Sequence, residues 1–170
     1  MSSFNRIQAV INLDNIRHNV SAMKSLVDEN KKMLAVIKAD AYGHGAVEVG
    51  RALDDMADYY AVAFLDEGIE LRKAGIDKPI LILGYTDPSD YMDLMRWDIR
   101  PAMYDVDEAQ QLSDDAVSMG KRAKIHIKVD TGMGRIGFTC DDAGVNNIEK
   151  IWKMPGIEIE GIFTHYAKAD

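Results

Sequence analysis

The chain has 170 residues, of which 47% are hydrophobic and 28% charged, and its 20 Lys and Arg against 28 Asp and Glu give a net charge of −8. This composition excludes a disordered or collagen-like chain, and the length allows one domain with a sizeable core or part of a larger one. The basic residues are scattered, and no apolar run approaches the roughly 18 residues of a membrane-spanning helix, so neither a nucleic-acid nor a membrane partner is predicted. The single cysteine, Cys140, favours a reducing cytoplasm and offers no metal site.

The first 30 residues predict a leading strand and then a helix from Asp14 to about Asn30. Apolar residues recur along one face of that helix at Ile16, Val20, Met23 and Val27. We expect this helix to pack on the outside of a sheet that the following residues form.

Beyond residue 30, short apolar runs alternate with polar stretches of helical spacing. This alternation is typical of parallel βα units, in which each helix carries the chain back to the next strand. The six predicted strands are Met33–Ile37, Tyr60–Phe64, Ile80–Leu83, Ile99–Tyr104, Lys124–Val129 and Ile157–Phe163. Asp105 is a predicted N-cap of one helix, and Gly75 and Gly120 are predicted to end two of them.

Two α/β architectures fit this pattern, an open doubly wound sheet and a (β/α)8 barrel. The glycine fingerprint that binds dinucleotide phosphates is missing after the first strand, which weakens the open sheet. A complete barrel takes about 250 residues, so 170 residues supply about six of its eight βα units. The predicted fold is therefore a partial TIM barrel over residues 1–170.

A lysine follows the first predicted strand, in the run AVIKADAYGHG (residues 35–45). Active sites of barrels form at this end of the strands, where burial and cationic neighbours turn a lysine amine into a nucleophile that forms imines. Tyr42 could reach a ligand phosphate, and Gly43 and Gly45 let backbone approach closely. The alternative is that Lys38 extends into solvent and the glycines only turn the chain.

Two later strands end in similar polar runs. KVDTGMGRIG (128–137) follows the fifth strand, and its glycines and Arg135 suit a loop that brings guanidinium donors to an anionic oxygen, unless Lys128 and Asp130 simply pair. GIFTHYAKAD (161–170) ends the sixth strand, where His165 either lines a site or packs in the core. The functional interpretation is favoured because three strands deliver polar side chains at the same end.

At these three runs the sequence resembles alanine racemase, a fold-type III pyridoxal-phosphate enzyme, and the similarity covers essentially the whole chain. The resemblance implies that Lys38 carries pyridoxal 5'-phosphate covalently and that Tyr42 hydrogen-bonds its phosphate. It implies that Arg135 contacts the cofactor's phenolic oxygen and the substrate, and that His165 lies beside the pyridine ring. Lys128 matches a lysine that is carbamylated in several members and orients the arginine, and Leu83 matches an apolar position near the cofactor.

The implied reaction is the interconversion of L- and D-alanine, which supplies D-alanine for peptidoglycan. Lys38 would move the Cα proton on one face, and racemisation needs a second acid/base group on the other. In the family that group is a tyrosine from a β-rich C-terminal domain of the partner in a homodimer, so we expect the 170-residue chain to be inactive by itself. The alternatives are a serine or lysine racemase, a non-catalytic pyridoxal-phosphate-binding barrel, and an assembly module without a ligand.

Overall fold

A computed structural model describes residues 7–168 as a six-stranded parallel sheet with helices between the strands. The strands pair in chain order, each with the next, as in the successive βα units of a barrel. The predicted partial TIM barrel is confirmed. The strands are β1 (Leu34–Val36), β2 (Tyr59–Val62), β3 (Ile80–Ile82), β4 (Ile99–Met103), β5 (Ala123–Val129) and β6 (Ile157–Thr164).

Seven helices accompany the strands within the described residues. Their bounds are α1 (Leu13–Lys24), α2 (Lys38–Gly43), α3 (Ala46–Ala52), α4 (Leu65–Lys73), α5 (Tyr91–Arg96), α6 (Val106–Ser118) and α7 (Asp142–Trp152). The predicted helix ends are confirmed: Asp105 accepts hydrogen bonds from two N–H groups of α6, and Gly75 and Gly120 follow α4 and α6 with φ of +85° and +65°. No helix over residues 7–168 is long and apolar enough to cross a membrane.

The core lies between the outer face of the sheet and the helices packed on it. All three residues of β3 are buried, as expected for a parallel strand covered on both faces. The fully buried side chains of this layer include Tyr60, Leu71, Ile80, Leu112, Ile125 and Ile151. This continuous apolar layer holds the strand ends in fixed positions.

The N-terminal helix is shorter than predicted. It ends at Lys24, and Met23 and Val27 are about half exposed, so the predicted apolar face packs on the core through Ile16 and Val20. Polar contacts tie α1 to the chain after α3: Arg17 pairs with Asp55 at 2.6 Å. The predicted leading strand does not form over residues 7–12, which pair with no strand, and residues 1–6 lie outside the described range.

Two short helical segments between β3 and β4 were not predicted. The first, Pro88–Asp90, is a single 3-10 turn, and the second, α5, follows it directly. The Asp87 side chain caps the 3-10 turn by accepting the Ser89 N–H at 2.9 Å. An Asp-Pro pair at a helix start is the sequence signal that could have revealed this turn.

A β-bulge interrupts the pairing of β5 with β6. Ile125 pairs with Ile159 but His126 pairs with Gly161, so Glu160 is the extra residue of the bulge. A Cβ on Gly161 would lie 2.7 Å from the His126 ring, so only glycine fits against it. Bulges re-aim side chains, and this one directs Glu160 toward the guanidinium of Arg100 on β4, at 3.0 Å from Nε.

Candidate active site

A cavity of about 890 Å³ opens at the carboxyl ends of the strands. Much of its wall is built from residues at or just beyond these ends, such as Val36, Phe64, Gly84 and Thr164, and it extends along the inner face of the sheet to residues near the amino ends of β1 and β2, including Lys32 and Tyr59. The structure brings all six sequence-predicted site residues to this one cavity: Lys38, Tyr42, Leu83, Lys128, Arg135 and His165. Their sequence positions span more than 120 residues, so the sheet, and not local sequence, gathers them.

The lysine lies at the start of an unusual left-handed turn. In α2 the four residues Ala39–Tyr42 have φ between +50° and +57°, a conformation that costs roughly 1–2 kcal/mol per non-glycine residue. At its far end the Asp40 side chain accepts the Ala46 N–H at 2.7 Å, and the Asp40 carbonyl accepts the Gly45 N–H at 2.9 Å. The turn brings both Lys38, half-buried, and Tyr42, 61% exposed, to the cavity.

The glycine-rich loop after β5 folds back on the strand that it leaves. Phe138 donates its N–H to the Lys128 carbonyl at 2.9 Å, and its own carbonyl accepts the Asp130 N–H at 2.9 Å. The Asp130 carboxylate accepts N–H groups of Gly134 and Gly132, and these bonds hold the pKa of Asp130 below its usual range. The closed loop sets Arg135 on the cavity wall.

Lys128 is a buried amine with little compensation for a positive charge. It is 3% exposed, its Nζ donates to the Val129 carbonyl at 2.9 Å, and it lies 5.5 Å from the centre of the Phe163 ring. Lys128 and Asp130, both within the described residues, do not form the salt bridge that was the alternative prediction. Burial lowers the pKa of Lys128, the charge of Asp130 opposes this, and the charge of Arg135 lowers it further.

The polar segment at the end of β6 contacts the glycine-rich loop after β5. Thr164, the last residue of β6, donates its hydroxyl to the Val129 carbonyl at 2.8 Å and lies 2.7 Å from the Thr131 hydroxyl. These contacts fix the end of β6 against the loop that carries Arg135. His165 follows immediately, exposed at the cavity mouth.

The charged lining of the cavity has one sign. Four basic residues line it, Lys32, Lys38, Lys128 and Arg135, and none of the described lining residues is Asp or Glu. The chain as a whole carries a net charge of −8, so this concentration of positive charge is opposite to the average surface. A cleft of one charge sign concentrates ligands of the other, which favours an anionic ligand such as a phosphate ester.

Two residues at the site were missed by sequence reasoning. His126 lines the cavity, with its Nε2 3.4 Å from the Glu160 carboxylate and its ring centre 6.0 Å from the ring centre of Tyr59. Burial lowers the pKa of His126, and the hydrogen bond and charge of Glu160 oppose this shift. Alternation along β5 did place His126 on the same face as Lys128. Glu67 on α4 accepts the N–H of Ala39 at 2.9 Å, and no local sequence signal connects these two residues.

Comparison with known proteins gives a consistent match. Residues 11–170 match the family described as alanine racemase, N-terminal domain. The chain is 46% identical over 165 residues to an alanine racemase of Desulforamulus reducens, a match that covers 96% of the chain and 45% of that relative. The chain thus spans less than half the length of this relative.

Solved structures agree with this similarity. The alanine racemase of Clostridium difficile 630 superposes with a TM-score of 0.90 at 47% identity, covering 92% of the chain and 42% of that structure. A structure described as the same enzyme in complex with cycloserine matches with a TM-score of 0.91 at 46% identity, over 93% of the chain and 44% of that structure.

Proposed function

Because the chain belongs to the alanine racemase N-terminal domain family, we propose that it is the cofactor-binding part of an enzyme that interconverts L- and D-alanine. The observation that carries the proposal is the convergence of an amine, a phenol, a guanidinium and an imidazole on one cavity whose charged lining is wholly basic. The family resemblance supports two further proposals: the complete enzyme is a cytoplasmic homodimer, and its D-alanine supplies peptidoglycan.

The residues present fit pyridoxal 5'-phosphate. Lys38 offers the primary amine for covalent attachment, and the basic lining suits a phosphate dianion, to which the Tyr42 hydroxyl can donate. Arg135 would hold the phenolic oxygen and the substrate carboxylate, His165 would flank the pyridine ring, and Leu83 would supply an apolar wall. When bound, the cofactor withdraws electrons from the substrate's Cα and so makes its proton acidic.

Lys38 is the proposed acid/base on one face of the substrate. Its Nζ, once free of the cofactor, can accept the Cα proton or return it to the same face. Racemisation needs a second group on the opposite face, which in the family is a tyrosine of the partner subunit. We therefore assign to this chain one of the two proton transfers and the binding of the cofactor.

A chimera tests this assignment. We expect the Clostridium difficile 630 relative to racemise L-alanine when this chain replaces its matching segment, and the same chimera with Lys38→Ala to be inactive. The isolated chain, supplied with pyridoxal phosphate, is expected to produce no significant D-alanine in a stereospecific oxidase assay. An inactive but folded chimera would contradict the proposed function, and D-alanine formation by the isolated chain near the rate of the full-length relative would contradict the single proton transfer.

We also propose that Lys128 is carbamylated. The lowered pKa favours a neutral amine, whose nitrogen can bond to the carbon of CO2 and release a proton to solvent. The product is a carbamate anion where the unmodified side chain carries an amine. Its negative charge would attract and orient Arg135, which shares the cavity wall.

Labelled bicarbonate tests the modification. With 13C-bicarbonate we expect one carbamate carbon resonance in the wild-type chain and none in Lys128→Ala, because the alanine side chain has no nitrogen to react. Lys124→Ala is the matched control, since Lys124 lies on the same strand and alternates to the same side. A spectrum of Lys128→Ala that is identical to the wild-type spectrum would exclude carbamylation at this residue.

A further inference from the structure

We propose that Glu67 is a positioning residue for the reactive lysine, acting through the backbone turn that begins at Lys38; this rests on the proposed function of Lys38. Glu67 lies in the first turn of α4, 29 positions after the lysine. It does not line the cavity, so any effect on chemistry must be transmitted through the residues that it holds.

The carboxylate of Glu67 joins two strand ends. Oε1 accepts the N–H of Ala39, the residue directly after Lys38, at 2.9 Å, and Oε2 accepts the N–H of Ala63 at 2.7 Å. Ala39 follows β1 and Ala63 follows β2, and these are neighbouring strands of the sheet. Together with the bond from the Ile37 N–H to the Ala61 carbonyl at 2.9 Å, this side chain therefore fixes the start of the left-handed turn relative to the next strand.

Helix capping accounts for only half of this arrangement. A glutamate at the third position of a helix commonly reaches back to a backbone N–H just before that helix, and the bond from Ala63 is of this local kind. The second oxygen instead accepts an N–H from a different βα unit, 28 residues away. A residue that only capped α4 would not need this second bond.

The left-handed turn explains why such a bond matters. Four successive non-glycine residues in this conformation relax to a right-handed one unless their surroundings hold them. Asp40 holds the far end through Ala46 and Gly45, and Glu67 holds the near end at Ala39. Loss of the near-end bond would let Lys38 move out of register with the other residues of the cavity.

Glu67→Gln and its neighbour Asp66→Asn form a matched pair of variants. The amide introduced by Glu67→Gln keeps one carbonyl acceptor but presents an NH2 group to the other backbone N–H, whereas Asp66 is exposed and makes no side-chain hydrogen bond among those described. Two quantities are measured in the 170-residue chain: hydrogen exchange of the Ala39 amide, and borohydride-trapped pyridoxal phosphate at Lys38 relative to Lys73, an exposed lysine on α4.

We expect Glu67→Gln to speed Ala39 exchange and to lower the Lys38-to-Lys73 labelling ratio, each by about tenfold, and Asp66→Asn to change neither. If Glu67→Gln does not fold, Glu67→Asp replaces it, because the shorter side chain cannot span both donors. Unchanged Ala39 exchange, or an unchanged labelling ratio with only a lower Tm, would overturn the positioning role. Absence of preferential Lys38 labelling in the wild type would instead overturn the proposed function and leave Ala39 exchange to decide the role of Glu67.

Discussion

Lys38→Ala is expected to abolish covalent uptake of pyridoxal phosphate by the chain. The wild type should carry one cofactor per chain after borohydride reduction, located by mass spectrometry on the peptide that contains Lys38, and the variant should carry none at this position. The reason is chemical: only an unprotonated amine can form the imine, and alanine supplies no nitrogen. The visible absorption of the bound cofactor should disappear with the attachment.

Lys73→Ala is the control for non-specific labelling. Lys73 is an exposed lysine at the end of α4 and does not line the cavity, so its removal should leave uptake unchanged. Because Lys32 and Lys128 also line the cavity, a full cofactor equivalent on either of them in the Lys38→Ala chain would show that the reactive amine was wrongly assigned.

The strands were predictable because each buried strand appears in the sequence as one short segment rich in apolar residues. Each of the six strands predicted beyond residue 30 matches an observed one to within two residues at either end; Ile99–Tyr104, for example, is found as Ile99–Met103. Strands of a parallel sheet covered on both faces are nearly continuous apolar runs, and this run is the signal for β1, β2 and β3, whereas β5 and β6 alternate apolar and polar residues. The helix predicted to extend to Asn30 ends early because its last turns have little apolar surface to pack against.

The convergence of the site residues on one edge of the sheet was predictable from the strand topology. Parallel strands place their carboxyl ends at one edge, so polar runs after the first, fifth and sixth strands had to converge there. The role of each residue was not predictable in this way: the proposal that Lys38 rather than Lys128 holds a cofactor comes from the family resemblance.

The left-handed turn and the β-bulge near the site could not be predicted from the sequence. Nothing in the letters Ala-Asp-Ala-Tyr indicates a left-handed turn, because these residues avoid that conformation in isolation. The turn is bonded to a group distant in sequence, the Glu67 carboxylate, which a local pattern does not reveal. The bulged residue Glu160 likewise bonds to Arg100, 60 residues earlier in the chain.

The buried ion-pair network beneath the cavity should be sensitive to the loss of one partner. Arg100 is 3% exposed and donates from Nε to Glu160 at 3.0 Å and from Nη1 to Asp98 at 2.8 Å. Burial alone would raise the pKa of Glu160, but the hydrogen bonds and charge of Arg100, with His126, hold it below the ordinary value. Glu160 is therefore the ionised partner that compensates a buried cation.

Glu160→Ala is expected to lower the free energy of unfolding by about 3–5 kcal/mol, because it leaves the Arg100 charge buried with Asp98 as its remaining acidic partner. Urea denaturation at neutral pH measures this change. Glu158→Ala, on the same strand and without a hydrogen bond among those described, should cost about 1 kcal/mol or less. The double variant Arg100→Met/Glu160→Leu should recover most of the loss, since an apolar pair of similar volume removes both buried charges. Equal effects of the Glu160 and Glu158 substitutions would show that water already solvates Arg100 and that the bulge serves no electrostatic purpose.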